Sequence, residues 1–302
     1  MHRGGTRRER ERGTMAEIHH FDHGWVTPAF SYLLSVLGSL LGLTGAVRLR
    51  SARTRAERGW WLVLAALAIG TTGIWTMHFV AMLGFEVVGT PIRYDVNLTV
   101  ASVVMSFVAV GAGLAIALLG TSARQLRILA GGVLAGLGVA AMHYTGMAAM
   151  RLYGDIHYSG SRVILSVVIA VVAATVALWL TLVVSRPLII FISALVMGVA
   201  VNGMHFTGMS AMSVTPEGHS GVIEGATAQS MLIPIGITVV FGLLGMAYAL
   251  ASAPNEEDRA ATEYLNARIE ARMAQQAAQA RNATGRGTLG NGAWTYRDRA
   301  SK

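Results

Sequence analysis

The sequence predicts an all-α integral membrane protein with seven transmembrane helices. Three observations carry that prediction. Of the 302 residues 53% are hydrophobic, charged residues make up only 13% and are clustered, and seven segments contain no Asp, Glu, Lys or Arg. Each segment is long enough to cross roughly 30 Å of hydrocarbon at about 1.5 Å per residue.

In chain order, an N-terminal extension (1–28) precedes the membrane domain, and Met15 within it offers an alternative start. Helix 1 (29–47) acts as its own insertion signal, because no cleavable signal peptide followed by a soluble domain is visible. Helix 2 (61–84) begins at Trp60 and Trp61, which read with Trp25 and Trp179 as interfacial anchors. Helix 3 (97–119) is uninterrupted. Helix 4 (128–150) carries Gly132 and Gly136, and helix 1 carries Gly38 and Gly42, both at the spacing that lets helices pack closely. Helices 5 (163–184), 6 (188–212) and 7 (231–252) complete the domain of residues 29–252. A polar tail (253–302) follows, with a helix expected near 255–282.

Short-loop arginines set the orientation. The loops after helices 1, 3 and 5 hold Arg48, Arg50, Arg53, Arg55, Arg58, Arg124, Arg127 and Arg186, against Arg93, Arg151 and Arg162 after helices 2, 4 and 6. That asymmetry places the N-terminus outside and the C-terminus in the cytoplasm of a multi-pass plasma-membrane protein. The five arginines from Arg3 to Arg12 argue the other way, and a start at Met15 removes them. The net charge of +8 reads as orientation signal and contact with the lipid bilayer, not as a nucleic-acid surface. The absence of cysteine excludes disulfides, thiolate metal sites and cysteine catalysis. Among the residues present, no catalytic serine, carboxylate pair or phosphate loop suggests an enzyme. Helix 7 has no lysine for a retinal Schiff base.

An internal repeat carries the chemistry. Met77-His78-Phe79-Val80-Ala81-Met82, Met142-His143-Tyr144-Thr145-Gly146-Met147 and Met204-His205-Phe206-Thr207-Gly208-Met209 share one pattern, with the histidines 65 and 62 positions apart. Each repeat is a helical hairpin, so helices 2, 4 and 6 run in the same direction and bring the histidines to one depth, about 10 Å below the outer surface. On a helix, positions i, i+4 and i+7 share a face. His78 therefore aligns with Met82, His143 with Met147 and Met150, and His205 with Met209 and Met212, putting a thioether layer about 6 Å beyond the imidazoles. Met77, Met142 and Met204 point about 100° away, toward neighbouring helices. His19, His20 and His23 stand where they could cover the site or capture an ion. Asn202 reads as an interhelical packing contact, with support of His205 as the second reading, and Trp75 as a shield one turn before His78.

Imidazole with thioether favours copper, particularly Cu(I), over the oxygen-seeking calcium and magnesium. Zinc is disfavoured by the distance of Glu86 and Asp155 from the motifs. An intramembrane histidine is costly and usually functional, and three in one local pattern point to a shared site.

These residues resemble the MHYT family of bacterial membrane sensor domains, over about residues 20–250. Only the second copy reads Met-His-Tyr-Thr literally, and the first has Val80 and Ala81 where the others have Thr and Gly. The resemblance implies copper held by the motif Met and His residues and sensing of oxygen, carbon monoxide or nitric oxide. Family members are often fused to output domains. The residues after helix 7 are too few for one, so a separate cytoplasmic partner or the tail is expected to carry the signal. Two other functions fit the same residues: copper transport or storage, with ligands continuing toward the cytoplasm, and haem-based electron transfer with axial His or Met.

Overall fold

The computed structural model describes residues 18–19, 24–215, 222–251, 264–277 and 279. Residues 1–248 form one compact unit and 249–302 a second. Seven helices are long and apolar enough to span a membrane: α1 (Val26–Ser51), α2 (Arg55–Met82), α3 (Val96–Leu118), α4 (Arg124–Ala148), α5 (Gly160–Val183), α6 (Pro187–Ser210) and α7 (Ala228–Ala251). They overlap the seven expected segments, each starting one to six residues earlier and all but α1 ending one or two residues earlier. In the second unit, residues 264–277, inside the helix expected near 255–282, are helical and exposed.

Each of α1 to α6 packs against the next, and α1 packs against α6, so the six close into a ring. Helix α2 is drawn furthest inward, and its most apolar stretch is 89% buried against 17% for α5. Helix α7 lies outside the ring against α2. A Cβ built on Gly242 would stand 2.9 Å from Thr72 Oγ1, and one on Gly245 3.9 Å from Leu64 Cδ2.

Short strands close each repeat at the histidine end. β1 (Ile18–His19) precedes α1 and pairs antiparallel with β2 (Glu86–Val87) after α2. β3 (Arg93–Tyr94) before α3 pairs with β4 (Met150–Arg151) after α4, and β5 (Asp155–Tyr158) before α5 with β6 (Met212–Thr215) after α6. Residues 18–215 thus contain three β-α-α-β units, with α7 following. Backbone N–H groups of Asp95 and Ser159, at the starts of α3 and α5, donate to the carbonyls of Ala149 and Ala211 at the ends of α4 and α6, each 2.8 Å.

Buried serines join one repeat to the next. Ser102 on α3 accepts from Trp75 Nε1 on α2 (3.0 Å), Ser166 on α5 bonds Tyr144 on α4 (2.6 Å), and Ser31 on α1 donates to Asn202 Oδ1 on α6 (2.9 Å). All three serines are fully buried. In lipid such hydroxyls have no water to return to, so each bond holds two helices in register. Asn202 therefore acts in packing. Trp61 is buried, not an interfacial anchor, because α2 turns it into the bundle, whereas Trp25, Trp60 and Trp179 remain exposed.

Close helix approach follows the glycines. Gly38 leaves no room for a Cβ against the Gly73 backbone and Ala68 carbonyl of α2, and Gly136 none against Val171 and the Ala170 carbonyl of α5. The middle of α2, Leu67–Thr76, is π-helical. Its Gly-Thr-Thr-Gly run tolerates the looser winding, and Ser106 of α3 donates to the Gly70 carbonyl at 2.6 Å. At the opposite end of the bundle, Arg50 donates to the carbonyls of Leu182 and Val184 at the end of α5, a favourable place for a cation.

Asp95 accepts from the Leu98 N–H (3.0 Å) as the N-cap of α3 and pairs with Arg151. The Leu98 N–H first, and then Arg151, hold its carboxyl below the usual range. A depressed carboxyl stabilises the fold above its unfolded pKa, about 3.9, and loses that contribution as pH falls through the lower folded value. Asp95→Ala should therefore lower the melting temperature at neutral pH, with the gap to wild type closing below about pH 4. Melts in detergent from pH 7 to 3 check this.

Candidate metal centre

His78, His143 and His205 sit on α2, α4 and α6, four or five residues before their helices end, so equal depth follows from three helices running the same way. Relative exposure is 1%, 0% and 1%. Their rings form a three-bladed propeller with centroids 4.8, 5.0 and 5.2 Å apart and planes steeply inclined. The Nδ1 atoms point inward: His78 Nδ1 lies 2.9 Å from His205 Nδ1 and 3.1 Å from His143 Nδ1. Ligand atoms of the three lie within 4.8 Å of one another, an arrangement that could hold a metal ion.

Two neutral imidazoles satisfy each other when one donates and the other accepts, but a third nitrogen at the same point has at most a shared partner. The Nε2 atoms of His78 and His143 are buried without a hydrogen-bond partner among the described residues. A cation among the Nδ1 atoms resolves the crowding of lone pairs. Three nitrogens about 2.0 Å from one ion stand about 3.3–3.5 Å apart, a few tenths of an ångström more than the separations of His78 Nδ1 from the other two.

The glycines of the motif create the room. A Cβ on Gly146 would stand 2.9 Å from His78 Cδ2 and closer still to Nε2, and a Cβ on Gly208 would meet the same edge of His143. His78 and His143 thus pack against bare backbone of the next repeat. The first copy carries Ala81 at this step. Reading the sequence for donors alone missed these glycines, although their recurrence three residues after His143 and His205 was the available signal.

The motif methionines are buried throughout. Met82, Met147 and Met209 lie four residues past each histidine, still helical and so on its face, and Met77, Met142 and Met204 immediately before it. The helical-face argument fails for Met150 and Met212. Helix α4 ends at Ala148 and α6 at Ser210, so these two lie on β4 and β6, opposite Tyr94 and Tyr158. His19 pairs through its backbone with Glu86, and nothing is described of its side chain. His20 and His23 lie outside the described residues.

Tyr94, 2% exposed, sits under the strands with its hydroxyl 3.5 Å from the Met82 carbonyl, and burial raises its pKa. Tyr158 is shifted upward as well, by burial and then by Tyr144. Both hydroxyls stay neutral at physiological pH. Trp75 lies on α2 with its ring 5.0 Å from Phe79, walling the α2 side.

A threefold repeat of membrane hairpins around a buried histidine cluster defines a multi-pass membrane domain. The chain belongs to the MHYT family: residues 72–132, 136–194 and 198–262 match its model, described as the bacterial signalling protein N terminal repeat. Among its relatives is the bifunctional diguanylate cyclase/cyclic di-GMP phosphodiesterase MucR of Pseudomonas aeruginosa, 35% identical over 82% of this chain and 34% of that protein. The cyclic di-GMP phosphodiesterase NbdA of the same organism is 31% identical over 82% of this chain and 32% of its own length. The signaling protein YkoW of Bacillus subtilis is 34% identical over half of the chain and 19% of its own length. The chain thus spans about a third of the first two. No solved structure matches it.

Overpacking a tight site costs about 1–3 kcal/mol. Gly146→Ala and Gly208→Ala should each lower stability by about that amount. A Cβ on Gly203 meets nothing within 4 Å, so Gly203→Ala should be neutral or stabilising by up to about 1 kcal/mol. Thermal melts of the three variants in one detergent test the contrast.

Proposed function

We propose that this protein is a membrane sensor that holds one copper ion between His78, His143 and His205 and responds to a diatomic gas (oxygen, carbon monoxide or nitric oxide) or to redox state. The observation that carries the reading is the convergence of three Nδ1 atoms in a buried pocket. The donor set supports the choice of metal. Imidazole suits copper and zinc, thioether suits Cu(I), and no carboxylate lies among the described buried residues to offset a second positive charge. A singly charged ion is the cheapest to hold there, since the cost of burial rises steeply with charge. Bound copper would supply redox change and an open coordination position for a small ligand.

The protein's own residues supply the rest. The glycine edges admit the rings, the serine latches hold the helices, and Met82, Met147 and Met209 offer thioethers on the motif faces. Because His78 and His143 rest on the next repeat, a change in spacing at the centre moves helices relative to one another, and the polar tail or a cytoplasmic partner reads that movement. The arginine-rich end then faces the cytoplasm, and the centre lies near the outer surface. The relatives' names support a signalling context, and the chain itself acts as sensor, not enzyme. The haem alternative is disfavoured by space, because the cavity one helical turn below the imidazoles, about 70 Å³, is too small for a porphyrin. Transport is disfavoured because the side chains lining that cavity are apolar apart from Ser39, Thr181, Met197 and Met204.

Metal analysis of purified protein should give one copper per chain, lost in the His78→Ala, His143→Ala, His205→Ala triple variant. Purified, copper-supplemented wild type without copper would refute the reading. Replacing Met82, Met147 and Met209 together by Leu conserves volume. It should weaken Cu(I) binding by about tenfold or more, a change of about 1.4 kcal/mol. Competition titration reads this, and unchanged affinity removes the thioethers from the site.

A further inference from the structure

One helical turn beneath the imidazoles the bundle holds a cavity of about 70 Å³. Its walls include Ile74, Val139 and Val201, each four residues before a motif histidine and therefore on the same helix face, one turn deeper. On the outside of the bundle an apolar groove runs along the seam between α5 and α6, bordered by the half-exposed Val172 and Val196. Ala173, Met197 and Ala200 belong to both the groove and the cavity wall. Two methyl groups and one flexible thioether side chain are thus what separates the hydrocarbon from the space under the cluster.

We propose that a small uncharged molecule of diatomic size, dissolved in the bilayer, enters sideways through the α5–α6 seam at Ala173, Met197 and Ala200 and docks in this cavity beneath the imidazoles. The proposal rests on the cluster being the sensing centre. Size and polarity select the occupant. The cavity exceeds the roughly 10–15 Å³ that admits one water, and falls well short of the roughly 150 Å³ that takes a benzene-sized ligand. Water needs two to four polar partners in such a space. The wall offers only the hydroxyls of Ser39 and Thr181, and Thr181 already donates to the Leu178 carbonyl at 2.6 Å. An apolar gas loses nothing there, and it is already concentrated in the hydrocarbon that the groove faces. At the opposite side of the cluster the paired strands and buried Tyr94 close the polar end. The seam therefore selects an apolar gas over an ion, which cannot cross hydrocarbon.

Xenon is the probe, because it occupies apolar cavities without needing a metal. Hyperpolarised-xenon exchange NMR on metal-free full-length protein in nanodiscs should show a bound signal that Val139→Phe, filling the cavity, abolishes. Ala200→Val and Ala200→Leu should slow exchange in order of side-chain size, by tenfold or more for Leu. Val199→Phe, on the lipid face of α6 outside the groove, should leave it unchanged. No bound xenon in wild type, or exchange indifferent to Ala200, overturns the proposal. Copper content measured on the same preparations after reconstitution with copper separates the two readings. Seam-dependent xenon uptake without copper upholds the route and removes the metal centre, whereas copper without xenon removes the route alone.

Discussion

Three imidazoles meeting where no water can reach them is the constraint around which the bundle is organised. Nδ1 atoms 2.9 and 3.1 Å apart require three helices to approach one axis at one depth, and polar groups in such a place must find partners within the protein. The repeat meets both demands. Parallel motif helices give equal depth, Gly146 and Gly208 admit the His78 and His143 rings, and the buried serines fix the spacing of the surrounding helices.

Contacts within and between repeats divide the labour. Strand pairs β1–β2, β3–β4 and β5–β6 close each repeat on itself at the histidine end. The serine bonds and the histidine-on-glycine contacts run from one repeat to the next. The cluster therefore belongs to no single repeat, and any change in its spacing is felt at the boundaries between all three. Helix α1 takes the place between α6 and α2 that completes the ring, although the third matched repeat continues into α7. Its Ser31–Asn202 bond matches the latches of α3 and α5.

The first repeat departs from the other two in ways that go together. It has Ala81 in place of glycine, Trp75 in place of the smaller residues one turn before the other histidines, and a π-helical middle in α2. The π-helical turn adds residues without adding a full α-turn, which rotates His78 relative to the start of its helix. It also presents the Gly70 carbonyl to Ser106 and the Gly73 backbone to Gly38. Helix α2 is accordingly the most deeply buried of the seven.

Much of this was legible in the chain. Seven uncharged segments determine seven helices, because lipid leaves the backbone no other partner. A motif repeated on alternate helices determines that its histidines share a depth. Burial of His78, His143 and His205, and of the methionines at their +4 positions, follows from the same periodicity. What a one-dimensional pattern could not supply was where helices stop and which faces meet. Met150 and Met212 read as helical neighbours of their histidines until the helix ends at Ala148 and Ser210 put them on strands. Trp61 read as an anchor until α2 turned inward. The inward direction of Nδ1 and the glycine edges are properties of contact between segments more than fifty residues apart, and the seam between α5 and α6 is a property of how two consecutive helices pack. Periodicity determines what lies on a helix face, but only the packing of one helix on another decides what that face touches.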